Sequence, residues 1–353
     1  MALFKTENSA GDVLDVTDLD FAGNGVDVSI AGTTVSVAIP GNPPGGSVGA
    51  VQYKTNPKTH GGATYAAIDN GDLILKDNAT PVAPTVGSVK LFCEDVGGRK
   101  MLGQMGPSGL DTPMQPFIGR NKICYWNPIG NSTTAPLAFG IVAPTATGTA
   151  TARNVSTTNL LRSTKRLGYV SAATAGSLCG ARGSALQFFR GNAASMGGFS
   201  YVCRFGVSDS ATVSGARMFI GLQSSTSAPT NQEPNVVGMN HIIGVAQISS
   251  SNNLHIVCND ASGTATTIDL GANFPANTIS ADAYELALFN PANSSTITWA
   301  VRRLGTAFES SGTLTTDLPA ANQLLTPQIW RCNNATALAV GIDLISLYIE
   351  TGY

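Results

Sequence analysis

Hydrophobic and polar positions alternate with a period of two along most of the chain, which predicts strands rather than helices. Val26, Val28 and Ile30 mark one run, Ala31-Gly32-Thr33-Thr34 turns the chain, and Val35, Val37 and Ile39 return. Two such runs about a glycine-containing turn predict a hairpin within 13–40. A hairpin of that size cannot bury its apolar side alone, so it needs another surface. Ala67 to Leu75 carries Asn70-Gly71 between two strand-like runs, and that dipeptide tolerates the positive φ of a tight hairpin turn. Val89-Lys90-Leu91-Phe92-Cys93 followed by Gly97-Gly98 predicts a third hairpin.

Short strand patterns recur from about residue 169 to the end, at 185–190, 199–207, 217–222, 242–249, 253–258, 265–270, 283–289, 296–303, 327–331 and 340–350. Turn residues separate them, and the spacing is that of a β-sandwich. The final run, Gly341 to Ile349, is apolar on both faces, which predicts a central or covered strand. Asp343 lies midway along it and needs a hydrogen-bond or basic partner, because an unpaired buried carboxylate is expensive. Elsewhere the pattern is weaker. Residues 101–135 are irregular and rich in Met, Pro, Gly and Asn, which predicts an extended path over a surface. Thr145 to Thr158 is an Ala/Thr/Gly stretch read as a loop or linker. Asn159 to Leu167 is the one helix-like stretch, short enough to be a turn. Pro40-Gly41-Asn42-Pro43-Pro44-Gly45-Gly46 predicts a linker.

Composition agrees with a folded β protein of 353 residues: 43% hydrophobic, with only 12% charged. The net charge of -2 implies neither a nucleic-acid partner nor a membrane surface, and no stretch approaches the ~20 apolar residues of a spanning helix. The N-terminal residues show no apolar signal-peptide core. The net value hides segregation. Residues 112–208 carry nine bases and no acid, whereas 1–111 and 209–353 are both acidic. The basic stretch is therefore expected to face acids of its own chain, of a neighbouring copy or of a partner.

The chemistry-bearing residues do not converge on a catalytic motif. The six cysteines lack Cys-x-x-Cys spacing, and Cys203 and Cys258 sit in apolar runs where a thiol behaves as a small hydrophobe. His60, His241 and His255 are too scattered for a metal site, so no metal or cofactor is expected. Gly45-Gly46-Ser47-Val48-Gly49 matches a nucleophile elbow but lacks the strand-turn-helix setting that motif requires. Glu233, Asp282 and Glu285 are conceivable glycosidase carboxylates, a chemistry that needs two of them about 5–10 Å apart. No catalytic residue is assigned and the chain is not expected to be an enzyme. Sugar binding needs exposed aromatics and amides. Trp299 and Trp330 lie in strand patterns and read as core residues, whereas Trp126 lies in irregular chain where it can be exposed. The polar loop 223–240 is long for a sandwich connection, and with Trp126 its Asn231, Gln232, Glu233 and Asn235 are the candidate binding residues.

Leu167-Gly168-Tyr169-Val170 through Leu178, Gly215 to Leu222, Asp269 to Pro275, Asp282-Ala283-Tyr284-Glu285-Leu286 and Leu347-Tyr348-Ile349-Glu350-Thr351 resemble tailed-bacteriophage fibre proteins with a C-terminal, lectin-like β-sandwich. The resemblance covers roughly the last 200 residues. Leu19 to Val26 is similar to a small hairpin module of phage tail proteins. The resemblance implies an all-β virion protein: small N-terminal hairpin modules, then a jelly-roll-like β-sandwich, assembled as a homotrimer. The domain reading is a virion-anchoring hairpin module at 1–40, a linker at 41–50, an intermediate β and extended region at 51–150, and the sandwich at 151–353. The implied function is attachment, as a tail fibre or receptor-binding protein, to a host-surface glycan or protein. A capsid decoration or head fibre protein is the alternative, and a virion-borne polysaccharide depolymerase the third. Partners would be other virion proteins of tail or capsid, through the N-terminal region, and the location a virion assembled in the host cytoplasm.

Overall fold

A computed structural model describes residues 27–31, 34–38, 50–56, 59–70, 72–79, 81–106, 111–113, 122–135, 138–193, 196–236 and 238–352, with side chains described from Tyr65 onward except at 111–113 and Lys122. The chain forms two compact units, residues 1–79 and 80–353. In the first unit, β1 (Asp27–Ala31) and β2 (Thr34–Ala38) form the predicted hairpin, with Val28 opposite Val37 and Ile30 opposite Val35. The same unit holds a three-stranded sheet of β3 (Ala50–Asn56), β4 (Thr59–Asp69) and β5 (Asp72–Leu75). Asn70, at φ 47°, begins the β4–β5 turn. The predicted linker and the Gly45 to Gly49 motif lie outside the described residues, and Ala50, directly after the motif, opens the strand β3 rather than a helix.

The second unit opens with β6 (Lys90–Val96), β7 (Arg99–Met105) and β8 (Asp111–Pro113), a three-stranded sheet. Then come β9 (Lys122–Trp126), β10 (Thr145–Thr147) and β11 (Thr149–Ala152), the one-turn helix α1 (Leu160–Ser163), and β12 (Leu167–Val170) and β13 (Leu178–Arg182). Next come β14 (Phe199–Ser208), β15 (Arg217–Gln223), β16 (Ile242–Gln247), β17 (His255–Asn259), the short β18 (Thr266–Asp269) and β19 (Ile279–Asn290). The chain ends with β20 (Ile297–Arg303), β21 (Glu309–Leu314), β22 (Thr326–Cys332) and β23 (Gly341–Thr351).

These strands build a two-sheet sandwich. One sheet has the order β10-β13-β22-β15-β16-β17-β18, and the other β11-β12-β23-β14-β19-β20-β21, with β9 also paired to β23. Alternation puts one face of each sheet inward. Tyr201, Cys203 and Phe205 of β14 meet Ile220 and Leu222 of β15 and Ile243 and Val245 of β16 in one continuous core. Each large apolar side chain buried there contributes about 1.5–3 kcal/mol relative to exposure. Burial also pushes the Cys179 and Cys203 thiols up to about 12, so they act as small apolar side chains.

Strand β23 is central, as its sequence predicts. It pairs with β14 along its length on one side, and with β12 and then β9 on the other. A bulge at Ile345 lets Leu344 and Leu347 both face inward. Ile345 points outward, where Leu161 of α1 and Ala283 cover it. The helix-like stretch is thus a single turn, capped by the Asn159 side chain accepting from the Arg162 N–H, and its task is to cover that apolar position. Asp343 is 1% exposed and accepts from Arg153 Nε at 3.0 Å and Arg166 Nε at 2.8 Å. Arg204 Nε donates to Glu285 at 2.6 Å. Three bases of the acid-free stretch therefore pair with acids of the C-terminal segment of the same chain.

Three expectations need correction. The Ala/Thr/Gly stretch is not a plain loop: 145–147 joins one sheet and 149–152 the other. Gly148, at φ 71°, carries the chain across the sandwich edge, and a Cβ there would stand 2.6 Å from the Val170 carbonyl oxygen. Residues 101–135 are not one extended path, because β7, β8 and β9 are paired strands. Through the same pairing, β9 and β10 are hydrogen-bonded into the sandwich sheets. The third correction concerns 185–190, which forms a single bridge, Phe188 to Leu325, rather than a strand.

The β6–β7 hairpin is docked on the outer face of the eight-stranded sheet. Its turn, Gly97-Gly98, approaches so closely that a Cβ on Gly97 would stand 2.8 Å from Ala287 Cβ. Arg99 Nη1 fixes the hairpin by donating to Glu350 Oε2 at 2.6 Å. Among the described residues no helix is long and apolar enough to cross a membrane.

Candidate functional site

The loop between β15 and β16 connects neighbouring antiparallel strands, a connection that two to five residues commonly make. Its extra length is used to fold back over the outer face of the seven-stranded sheet. That face carries a second apolar cluster, Phe219, Ile242, Ala246, Val257, Ala265, Trp330 and Cys332, and Met239 of the loop closes over it.

Polar bonds fix the loop in place. Arg217 at the start of β15 donates from Nε to Glu233 Oε1 and from Nη1 to Asn231 Oδ1, both at 2.8 Å. Glu233 also accepts from the backbone N–H of Ser249 at 3.1 Å and from the Ser249 hydroxyl. Asn231 Oδ1 further accepts from the Cys332 thiol at 3.0 Å. Gln328 of β22 donates to the carbonyl oxygens of Ser225 and Ser227 at 2.6 and 3.3 Å, and Arg182 donates to that of Thr226 at 3.1 Å.

Of the residues expected to bind, four are brought together and one is not. Asn231 is exposed, and Gln232, Glu233 and Asn235 are half-buried on the same loop. Asn231 Oδ1 and the Glu233 carboxylate are occupied by the chain's own donors, so they hold the loop rather than wait for sugar hydroxyls. The amide groups of Gln232 and Asn235 are the better placed pair. Trp126 is a correction. It lies in β9 opposite Leu347, is 1% exposed, and belongs to the inner core of the other sheet. Trp299 is a core residue, 4% exposed, whereas Trp330 is buried under the loop.

The carboxylates do not form a glycosidase pair through Glu233 and Glu285. Glu233 lies over the outer face of the seven-stranded sheet. Glu285 lies on the outer face of the opposite sheet, between Tyr284 and Leu286 in the core, and is held by Arg204. Two packed sheets separate them, farther apart than the ~10 Å between the sheets themselves. Asp282 is engaged by Arg303 at 3.0 Å. Among the described residues no group of three or more His, Cys, Asp and Glu converges as a metal site would require.

The brace has a testable pH dependence. Burial alone would raise Glu233, but the bonds from Ser249 and Arg217 outweigh it and hold the carboxyl below its ordinary 4.5. A lowered folded-state value means that the brace stabilises above the unfolded value and is lost as pH falls through the folded one. Urea denaturation should therefore show the wild type losing stability below about pH 4.5 more steeply than Glu233→Gln, with a gap of about 1.5 kcal/mol at neutral pH. Parallel pH profiles would show that Glu233 does not hold the loop.

No protein-family model matches the chain, and no curated protein matches it. Several solved structures are similar to part of the chain. Lectin II from Ulex europaeus is 16% identical, with 60% of this chain and 93% of that one aligned at a TM-score of 0.41. Arcelin-5, a lectin-like defence protein from Phaseolus vulgaris, is 9% identical over 66% of this chain and 99% of its own, at 0.43. A protein of unknown function from Shewanella oneidensis MR-1 is 14% identical over 68% and 90%, at 0.42. The strand pairing of the chain itself makes the second unit an all-β, two-sheet sandwich.

Proposed function

We infer that the chain is a non-enzymatic attachment protein of a bacteriophage virion, a tail fibre or receptor-binding protein whose sandwich meets a host-surface glycan. The observation that carries the reading is the loop over the seven-stranded sheet. A long polar connection is braced at Arg217, Gln328 and Ser249 on a rigid scaffold, and it carries the half-buried amide side chains of Gln232 and Asn235. Long polar loops carried on a rigid scaffold are where binding residues concentrate. Support also comes from the fibre-like motifs: Leu167 to Val170, Asp282 to Leu286 and Leu347 to Thr351 fall on β12, β19 and β23 of one sheet. In this reading the chain is a homotrimer, and the small β1–β2 hairpin is the joint to other virion proteins.

The test is binding of fluorescently labelled full-length protein to a panel of bacterial cells and purified envelope polysaccharides. Saturable binding to a subset is expected, weakened severalfold by Gln232→Ala with Asn235→Ala at unchanged melting temperature. Absence of binding to every surface in the panel would overturn the attachment reading. Light scattering that gives a stable monomer would remove the trimer. Copies spread over the whole shell of a particle, rather than a few at one vertex, would replace the tail fibre by a capsid decoration protein.

A further inference from the structure

Beneath the loop, the outer face of β22 carries a row of polar groups with no partner. Strand alternation puts Thr326, Gln328 and Trp330 on that face, opposite to Ile329 in the main core. The three residues are 0, 1 and 1% exposed, yet Thr326 Oγ1, Gln328 Oε1 and Trp330 Nε1 make no hydrogen bond. Buried polar atoms are nearly always paired, and these three stand in succession on one face of one strand.

Phe219 stands directly opposite Trp330, so two aromatic side chains adjoin the row. Gly221 stands opposite Gln328 and Gly244 opposite Gly221, so the sheet bears no side chains on the β15 side of Gln328, while Arg182 of β13 flanks its other side. Above lies segment 224–232. It is held to this floor through backbone carbonyls by Gln328 Nε2 and Arg182, and through Asn231 by Arg217.

We propose that the β22 row is the floor of a saccharide site, closed by segment 224–232 acting as a lid. The proposal rests on the glycan reading above and gives it a specific site. A hydroxyl group both donates and accepts, so a sugar ring accepts from Trp330 Nε1, donates to Gln328 Oε1, and does either with Thr326 Oγ1. Its C–H face packs on the indole. An apolar ligand would leave the row unsatisfied, and an anion would meet the Gln328 acceptor. Only the lid-open fraction of molecules binds, so the closed lid lowers the apparent affinity.

The experiment is saturation-transfer NMR on the full-length chain with the methyl glycosides of glucose, galactose, mannose and N-acetylglucosamine. At least one should show transfer. Asn231→Ala removes the lid's bonds to Arg217 and to the Cys332 thiol while leaving Thr326, Gln328 and Trp330 unchanged, and should tighten binding about fivefold. Gln328→Glu keeps the acceptor but sets a carboxylate against the lid carbonyls, and should also tighten it. Trp330→Phe keeps a ring and loses the donor, and should weaken it at least fivefold. No transfer from any glycoside to either wild type or Asn231→Ala overturns the site, as does weaker binding in both lid variants. Retained cell-surface binding with no saccharide signal overturns this site alone, whereas loss of both overturns the glycan reading as well.

Discussion

Asp209→Ala should cost about 3–5 kcal/mol of unfolding free energy, enough to remove much of the 5–15 kcal/mol that holds a typical domain together. Both partners of the Asp209–Arg331 pair are buried, at 1 and 0% exposure. Arg331 donates from Nε and Nη2 to Asp209 at 3.0 and 2.5 Å, and from Nη1 to Gln247 at 2.6 Å. Asp209 also accepts from the Gly341 N–H at 2.8 Å, so one carboxylate ties the end of β14, β22 and the start of β23. Removing it strands a guanidinium away from water. Arg331→Met should cost a similar amount, because it strands the carboxylate instead. The double variant should cost less than either single one, since no uncompensated charge remains. Urea denaturation of all three checks this, and strictly additive losses would show that the pair is not coupled.

Trp126→Ala should cost about 3–5 kcal/mol, the range for deleting a large aromatic from a packed core, and should leave glycan binding by the folded fraction unchanged. An exposed stacking tryptophan would show the reverse, a stability change within about 0.5 kcal/mol and a loss of binding. Trp126→Phe should be much milder. It keeps a ring against Leu347 and removes an indole N–H that already lacks a partner. Denaturation midpoints and binding to the same bacterial surfaces, measured side by side, separate the two cases.

The strands with clean alternation were legible from the sequence because period two is a local property. Val28, Ile30, Val35 and Val37 specify their hairpin, and the runs at 199–207, 217–222 and 340–350 specify β14, β15 and β23. The two-faced apolarity of β23 also announced that both its faces are covered. Thr145 to Ala152 was not legible, since Ala and Thr at a sheet edge alternate in no apolar property, and only pairing with β13 and β12 makes them strands. The same holds for Trp126, whose burial follows from β9 pairing with residues more than 200 positions away.

The candidate site divides along the same line. By itself the sequence determined that 223–240 is long and polar, that 112–208 lacks acids, and that Asp343 needs a partner. Tertiary structure alone decided that the loop lies over β22 rather than projecting into solvent, and that Arg153 and Arg166 are the partners of Asp343. It also decided that Thr326, Gln328 and Trp330 share a covered face. The physical reason is that side-chain alternation records which faces are apolar. Strand order, register and the return path of a loop are set by contacts between segments far apart in the chain.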